Sequence, residues 1–361
     1  MGTKLFLEEN CYEAAIKRIS YIFDNFENIN VSVSAGKDST ALYWICVNEA
    51  VKRTRKITVF FLDQEAEYGS TIEIIEQMMR HPNVVPEWYQ VPIYMTNATS
   101  FQKEMLYAWG EGEKWMREKS EIAIHSISEK YPKRFYEFFK WKERRIMNTA
   151  FLVGLRSGES INRFRAVTKN PGYNNILWSS VIPKNKTSFK FYPIYDWGMG
   201  DVWKFISDNE LPYNSIYDKM FSANHNYYNT MRVSNLIHEK SFHCLTELQA
   251  LEPETYQKLL DRISGVHCAS LYAKDKYIYD NSDLPESFSS WRAYRDYILE
   301  TTPYEKKERF IKRFDGQPKT EDVYQQQVKQ LLTNDWENNL ALDLKKQDKK
   351  NEVLTKWYAI L

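Results

Sequence analysis

The chain is poor in the residues that staple a fold or span a membrane. Its four cysteines, Cys11, Cys46, Cys244 and Cys268, are scattered over 361 residues with no CxxC pair. That spacing argues against a disulfide framework and makes reduced thiols the expectation. No window approaches the run of about 18 apolar residues that a membrane-spanning helix needs. The opening "MGTKLFLEEN" carries no apolar signal core, and Phe6 stands where a myristoylation pattern requires Ser or Thr. A cytoplasmic protein with no membrane partner is therefore expected. Charge of one sign is lacking as well, since 49 Lys and Arg face 48 Asp and Glu. Any pull on nucleic acid must then come from a local patch. The chain offers neither a Ser-His-Asp arrangement nor a GxGxxG turn.

Aromatic residues are abundant: 25 Tyr, 19 Phe and 11 Trp, most of them expected in a core. The length predicts one large α/β domain plus a smaller module. Ala15, Ile16, Ile19, Ile22, Phe23 and Phe26 recur at helical spacing, so residues 1–27 are read as an amphipathic helix and its flanks. "INVSVS" alternates like a strand, "TALYWICVNEAV" reads as helix, and "KITVFFLD" is a strand buried on both faces. Ser70 with Glu73 reads as a capping box opening the next helix. "NVVPEWYQV" and "TAFLVGLR" supply further strands. This order predicts a doubly wound, mostly parallel α/β sheet over residues 28–220. A helical insertion is expected at about 99–145, and a helical C-terminal module over 221–361, where "PETYQKLLDRISG" and "EDVYQQQVKQLLTNDW" stand out. The run "KKQDKKNE" reads as a solvated helix or tail.

The chemistry concentrates in "SAGKDS", Ser34 to Ser39. A Walker loop needs Gly where Val31 stands, and Ser or Thr where Asp38 stands, so that reading fails. Placement still favours a phosphate: the segment closes a first strand and opens a helix, whose unpaired amides and positive dipole end attract anions. Ala35 and Gly36 let phosphate oxygens approach the main chain. Ser34, Ser39 and Thr40 offer hydroxyls and Lys37 a positive charge, while Asp38 either caps the helix or helps to hold magnesium. The plain alternative is a strand-to-helix turn with a Ser or Asp cap.

"SAGKDS" resembles the S-G-G-K-D-S signature of the PP-loop ATP pyrophosphatases, with Ala35 in place of the first Gly. "FFLDQEAEY" follows the second strand, where those proteins contact adenosine. "GLRSGESINR" is similar to the Gly-x-Arg-x-x-x-Ser-x-x-Arg segment of the phosphoadenosine phosphosulfate (PAPS) reductase branch. "FYPIYDWGMGDVWKFISDNELPYNSIYDK" is similar to the Pro-x-x-x-Trp motif of that branch and the helix and loop that follow it. With these motifs in order from Phe26 to Lys219, the chain is identified as a member of that branch. Within it, the chain resembles the immunoglobulin-binding regulator A proteins, described as co-activators of prophage gene expression.

The resemblance implies an adenine nucleotide α-hydrolase-like fold that uses ATP, or PAPS, together with Mg2+. It places Ser34, Ala35, Gly36, Lys37, Asp38, Ser39 and Thr40 around phosphates, and Leu62, Asp63, Glu65 and Ser160 around the rest of the nucleotide. Lys37, Asp38, Arg156 and Arg163 become the catalytic candidates, and Asp38 and Asp63 the magnesium ligands. For the two arginines, the alternative is surface ion pairing with Glu159. The Glu-Cys-Gly-x-His segment whose thiol serves the reductases is missing, and so are the Cys pairs of the iron–sulfur members; no cluster is expected. Cleavage of ATP between the α and β phosphates remains, feeding adenylylation or sulfur transfer to an unknown acceptor with a protein partner. The alternatives are a PAPS- or APS-binding sulfotransfer enzyme and a nucleotide-gated co-activator without catalysis.

Two weaker signals stand apart. "KYPKRFYEFFKWKERR", residues 130–145, holds seven Lys or Arg and six aromatic rings against two Glu. That composition suits nucleic acid, although an amphipathic helix burying Phe135, Phe138, Phe139 and Trp141 explains the spacing better. His238, His243, Cys244, His267 and Cys268 fit no standard zinc spacing and read as buried thiols and satisfied histidines. Arg232 is a further candidate for the nucleotide site, and Tyr227 and Tyr228 read as packing.

Overall fold

Asn10 caps the first helix, α1 (Cys11–Asn25), its side chain accepting the Glu13 amide at 2.9 Å. The apolar face of α1, Ala15, Ile19, Ile22 and Phe23, is buried in the main core, as its spacing predicts. The computed structural model describes residues 7–100, 103–168, 172–223, 231, 233–239, 242–275 and 281–344. Arg232, Tyr227, Tyr228 and the "KKQDKKNE" run lie outside them. The chain divides into two units, Met1–Tyr94 with Tyr107–Ser234, and Met95–Leu106 with Asn235–Leu361.

The first unit continues with β1 (Asn28–Ser32), α2 (Lys37–Lys52), β2 (Ile57–Leu62), α3 (Gly69–Met79) and β3 (Val84–Tyr89). β2 is buried at nearly every position, which its β-branched and aromatic residues suit. α3 begins at Gly69 with Tyr68 as its N-cap and no side-chain cap, so the capping box expected at Ser70 does not form. After β3 come β4 (Ile93–Thr96) and β5 (Met105–Ala108), which pair with each other, then α4 (Phe135–Arg145) and β6 (Thr149–Val153). The stretch expected to be a helical insertion is helical only over α4. From Trp109 to Arg134 no helix forms, and several backbone groups bond outward instead. The Trp109 and Met116 amides go to the Glu65 carboxylate and the Ile124 amide to the Trp88 carbonyl.

The unit is completed by α5 (Ile161–Thr168), β7 (Ser179–Ile182), β8 (Asn185–Phe191), α6 (Met199–Asp208) and α7 (Ile216–Ala223). The sheet runs β3-β2-β1-β6-β8-β7, parallel throughout except for the antiparallel β7 at its edge. It is a doubly wound α/β sheet, and the strand order reverses between β1 and β6. Ser32 pairs with Val153, so both strands end at one level and their outgoing loops lie side by side.

Among the described residues, the regular structure of the second unit is helical apart from the strand residues it takes from 95–106. Its helices are α8 (Leu245–Leu251), α9 (Pro253–Arg262), α10 (Val266–Tyr272), α11 (Trp291–Thr301), α12 (Tyr304–Phe314) and α13 (Glu321–Leu332). Ile298, Phe310, Phe314, Val328, Leu331 and Trp336 form one of its cores. Among the described residues, no helix is long and apolar enough to cross a membrane.

Candidate functional site

Ligands of open α/β sheets settle where the strand order reverses, outside the carboxyl ends of the strands. Here that crevice receives the loop from β1, Val33 to Gly36, and the loop from β6, Gly154 to Ser160. Ser39 closes the first loop: its hydroxyl accepts the Ser34 amide at 3.1 Å and donates to the Gly36 carbonyl at 3.0 Å. The Ser34 hydroxyl stands 3.2 Å from it. Ala35 sits at φ +53°, a left-handed conformation that glycine adopts without strain. Thr40 is fully buried, its amide bonded to the Gly36 carbonyl at 3.0 Å.

Gly154 lets the two loops meet. A Cβ there would come within 2.9–3.0 Å of the Ser39 nitrogen and the Asp38 carbonyl group, so β6 can lie against the first turn of α2 only with glycine. Two residues on, Arg156 is buried and its Nε donates to Asp38 Oδ1 at 2.7 Å. Lys37 Nζ lies 3.6 Å from Asp38 Oδ2. Arg156 also donates to Glu159 Oε1 at 2.7 Å, and Arg163 pairs with Glu159 Oε2. Lys37, Asp38, Arg156, Glu159 and Arg163 thus form one continuous ladder of charge beside the loop. The ion pairing with Glu159 named as the alternative for the arginines is present, and it lies at the site. Ser160 is exposed, and its hydroxyl accepts the Arg163 amide at 3.2 Å at the start of α5.

Tyr217, on α7, is a member that spacing alone did not single out. Its hydroxyl accepts the Lys37 amide at 3.0 Å, taking one of the unpaired donors of the α2 N-terminus. Burial, and the charge of Asp38, hold its phenol well above the ordinary range and therefore protonated. The motif "NSIYDK" was visible, but only the return of α7 to the loop brings this ring to Lys37.

Leu62 ends β2 in the core, and the residues after it do something other than expected. Asp63 is fully buried. Its Oδ1 accepts the Glu65 amide at 2.9 Å, and Oδ2 accepts Trp88 Nε1 and Gln90 Nε2, each at 3.0 Å. Arg117 donates to both oxygens, at 2.5 and 2.7 Å. With both oxygens engaged, Asp63 is a structural anchor and not a magnesium ligand. Glu65, also fully buried and at φ +65°, accepts the Trp109 amide at 2.9 Å and the Met116 amide at 3.1 Å. Trp109 donates its indole to the Asp63 carbonyl at 2.9 Å. Segment 109–117 is therefore strapped to the loop that follows β2. Beside the strap, burial pushes the Glu67 carboxyl up to about 8, helped by Asp63 and opposed by Arg117.

A resident magnesium ion does not fit the remaining donors. Asp38 is held by Arg156 and Lys37, and among the described residues no three His, Cys, Asp or Glu gather as a metal site. Magnesium that arrives with a nucleotide belongs to the substrate, held mainly by phosphates and water. The thiols in this unit are not poised as nucleophiles. Burial raises Cys46, and burial together with Asp201 raises Cys11 to about 11. Cys244 and Cys268 belong to the second unit.

The basic stretch at 130–145 offers less free charge than its composition promised. Lys142 is 4% exposed, bonded to Glu87 at 2.5 Å and stacked over Phe60 at 4.2 Å. Burial lowers its pKa. Lys140 and Arg144 stay exposed on α4, whose Phe138 is buried, so amphipathic packing accounts for this helix.

Residues 28–230 match the phosphoadenosine phosphosulfate reductase domain, and residues 227–351 match a domain of unknown function (DUF3440). The chain is 27% identical over 320 residues to the uncharacterized protein YbdN of Escherichia coli (strain K12), covering 83% of this chain and 77% of that one. It is 24% identical over 220 residues to an adenosine 5'-phosphosulfate reductase of Lysinibacillus sphaericus (strain C3-41), covering 60% of this chain and 80% of that one. A solved PAPS reductase from Candida auris in a phosphate complex is similar at 13% identity and a TM-score of 0.35, covering 65% of this chain and 98% of that one. The FMN adenylyltransferase of Candida glabrata, solved with FMN and an ATP analogue, gives 15% identity and a TM-score of 0.37, covering 62% of each chain. With more than half of its length matched, the chain belongs to the phosphoadenosine phosphosulfate reductase domain family.

Proposed function

We propose that the first unit binds ATP at the β1–α2 loop and cleaves it between the α and β phosphates, passing the adenylyl group to an acceptor. The observation that carries this reading is the convergence of Lys37 and Arg156 on the first turn of α2, at the reversal of the sheet. An acceptor oxygen attacks the α-phosphorus, the bond to the bridging oxygen breaks, pyrophosphate leaves, and the acceptor proton passes to water. Negative charge builds on the leaving phosphates. In this reading Lys37 and Arg156, with the positive end of the α2 helix, offset it, and such fixed charge is usually the largest catalytic contribution.

A second reading, PAPS or adenosine phosphosulfate as ligand, draws on the family match itself. It needs a nucleophile for the sulfonate, and the raised thiols of Cys11 and Cys46 do not offer one. A nucleotide-gated regulator would keep the same pocket and bind without turnover.

The deciding experiment follows pyrophosphate release from α-labelled ATP with magnesium, for wild type and Lys37→Ala, with and without DNA. Release by wild type and its loss in a folded Lys37→Ala variant are expected. A Lys37→Ala variant as active as wild type would sink the proposal. Tight binding of PAPS with no binding of ATP would move the assignment to the second reading.

A further inference from the structure

Glu159 occupies an unusual position in the charge ladder. Its two carboxylate oxygens take the two arginines of the β6 loop, Arg156 on Oε1 at 2.7 Å and Arg163 on Oε2. Arg156 at the same time holds Asp38, in the first turn of α2. A carboxylate hydrogen-bonded to one guanidinium group and ion-paired with a second, beside a helix N-terminus, sits in the charge environment of a bound oxyanion. Glu159 is 17% exposed and Arg156 8%, so water screens that contact only weakly, whereas Arg163, at 45% exposure, is the solvent-facing partner.

We propose that Glu159 is an internal counter-anion, which holds the arginine pair in the place of a ligand phosphate and admits only an anion charged strongly enough to displace it. The ladder carries three cations, Lys37, Arg156 and Arg163, against two carboxylates, Asp38 and Glu159, which leaves one net positive charge. A singly charged anion gains little there and still has to break the Glu159 pairs. A polyphosphate gains from all three cations at once. Glu159 is thus a specificity-determining residue for polyphosphate ligands, an inference that rests on the proposed nucleotide site.

The test is calorimetric titration of the full chain with inorganic pyrophosphate, for wild type, Glu159→Gln, Arg163→Gln and the double variant. Glu159→Gln is expected to bind pyrophosphate about tenfold more tightly than wild type, because the competing carboxylate is gone. In the Arg163→Gln background that gain should shrink below about threefold, since part of the competition acts through Arg163. Affinity unchanged or weakened by Glu159→Gln, or a gain undiminished without Arg163, overturns the counter-anion. Should Glu159→Gln fail to fold, Glu159→Asp serves. Its carboxylate is one methylene too short to span both arginines, and an intermediate gain is expected from it. Release of pyrophosphate from ATP by wild type with no gain in Glu159→Gln defeats this inference alone. Failure of every variant to bind pyrophosphate defeats the nucleotide site with it.

Discussion

Ala35 stands at φ +53° with its side chain buried, where the related signature has glycine. The left-handed conformation costs an L-residue with a Cβ roughly 1–2 kcal/mol. Ala35→Gly is therefore expected to raise unfolding stability by about 1 kcal/mol, after the extra entropy that glycine brings to the unfolded chain is subtracted. Urea unfolding checks it, as a higher midpoint at an unchanged slope; a lower midpoint would mean that the loop relaxes around alanine. The substitution was visible in the sequence, but its strain was not, because φ follows from how the loop meets the helix. The same holds for Glu65 at φ +65°, whose two bonds to the Trp109 and Met116 amides offset the cost of its backbone.

Among the elements, the strap 109–117 departs from the helical insertion expected at about 99–145. Its tryptophans and charges suggested helix, yet Trp109 and Arg117 are spent on the loop after β2, Arg117 pairing with a fully buried Asp63. Breaking a buried pair from one side leaves an uncompensated charge and costs about 3–5 kcal/mol. Arg117→Met is expected to destabilise by that order, and adding Asp63→Asn should recover part of the loss. Thermal or urea unfolding of the three variants measures it, and a double variant no better than Arg117→Met would refute the pairing argument. By contrast, α1, β2, α9 and α13 were legible, since their residues follow the period of the element and their neighbours bury one face or both. The short strands β4, β5, β7 and β8 were not, because polar or brief strands leave little alternation to read.

On the scale of the whole molecule, the chain enters the second unit early, at residues 95–106, and returns to it from Asn235. Within that unit, Asn334 ties the excursion down, donating to the Asn97 carbonyl at 2.8 Å and the Ser100 carbonyl at 2.7 Å. The Ala98 amide bonds to the Ile237 carbonyl at 2.9 Å. Asn334 itself is at φ +52°, which asparagine tolerates better than alanine. Asn334→Ala removes two bonds to buried carbonyls and adds backbone strain, so a loss of about 2–4 kcal/mol is expected. Hydrogen exchange should show lost protection at 95–106 and 321–334 while β1, β2 and β3 stay protected. Even loss across both units would show that they unfold as one.

The sequence by itself determined the strand–helix alternation of the first unit, the helical character of the second, the phosphate-type loop at Ser34 to Ser39 and the family to which they belong. These are local quantities, set by spacing, by turn chemistry and by short motifs. Tertiary structure alone decided which charges meet from distant parts of the chain. It drew Asp63 away to Arg117, buried Lys142 on Glu87, brought Tyr217 to the Lys37 amide and joined Arg156 to Asp38. Those pairings depend on the order in which the strands assemble and on the small space that Gly154 leaves beside α2, and no local pattern in the chain encodes either.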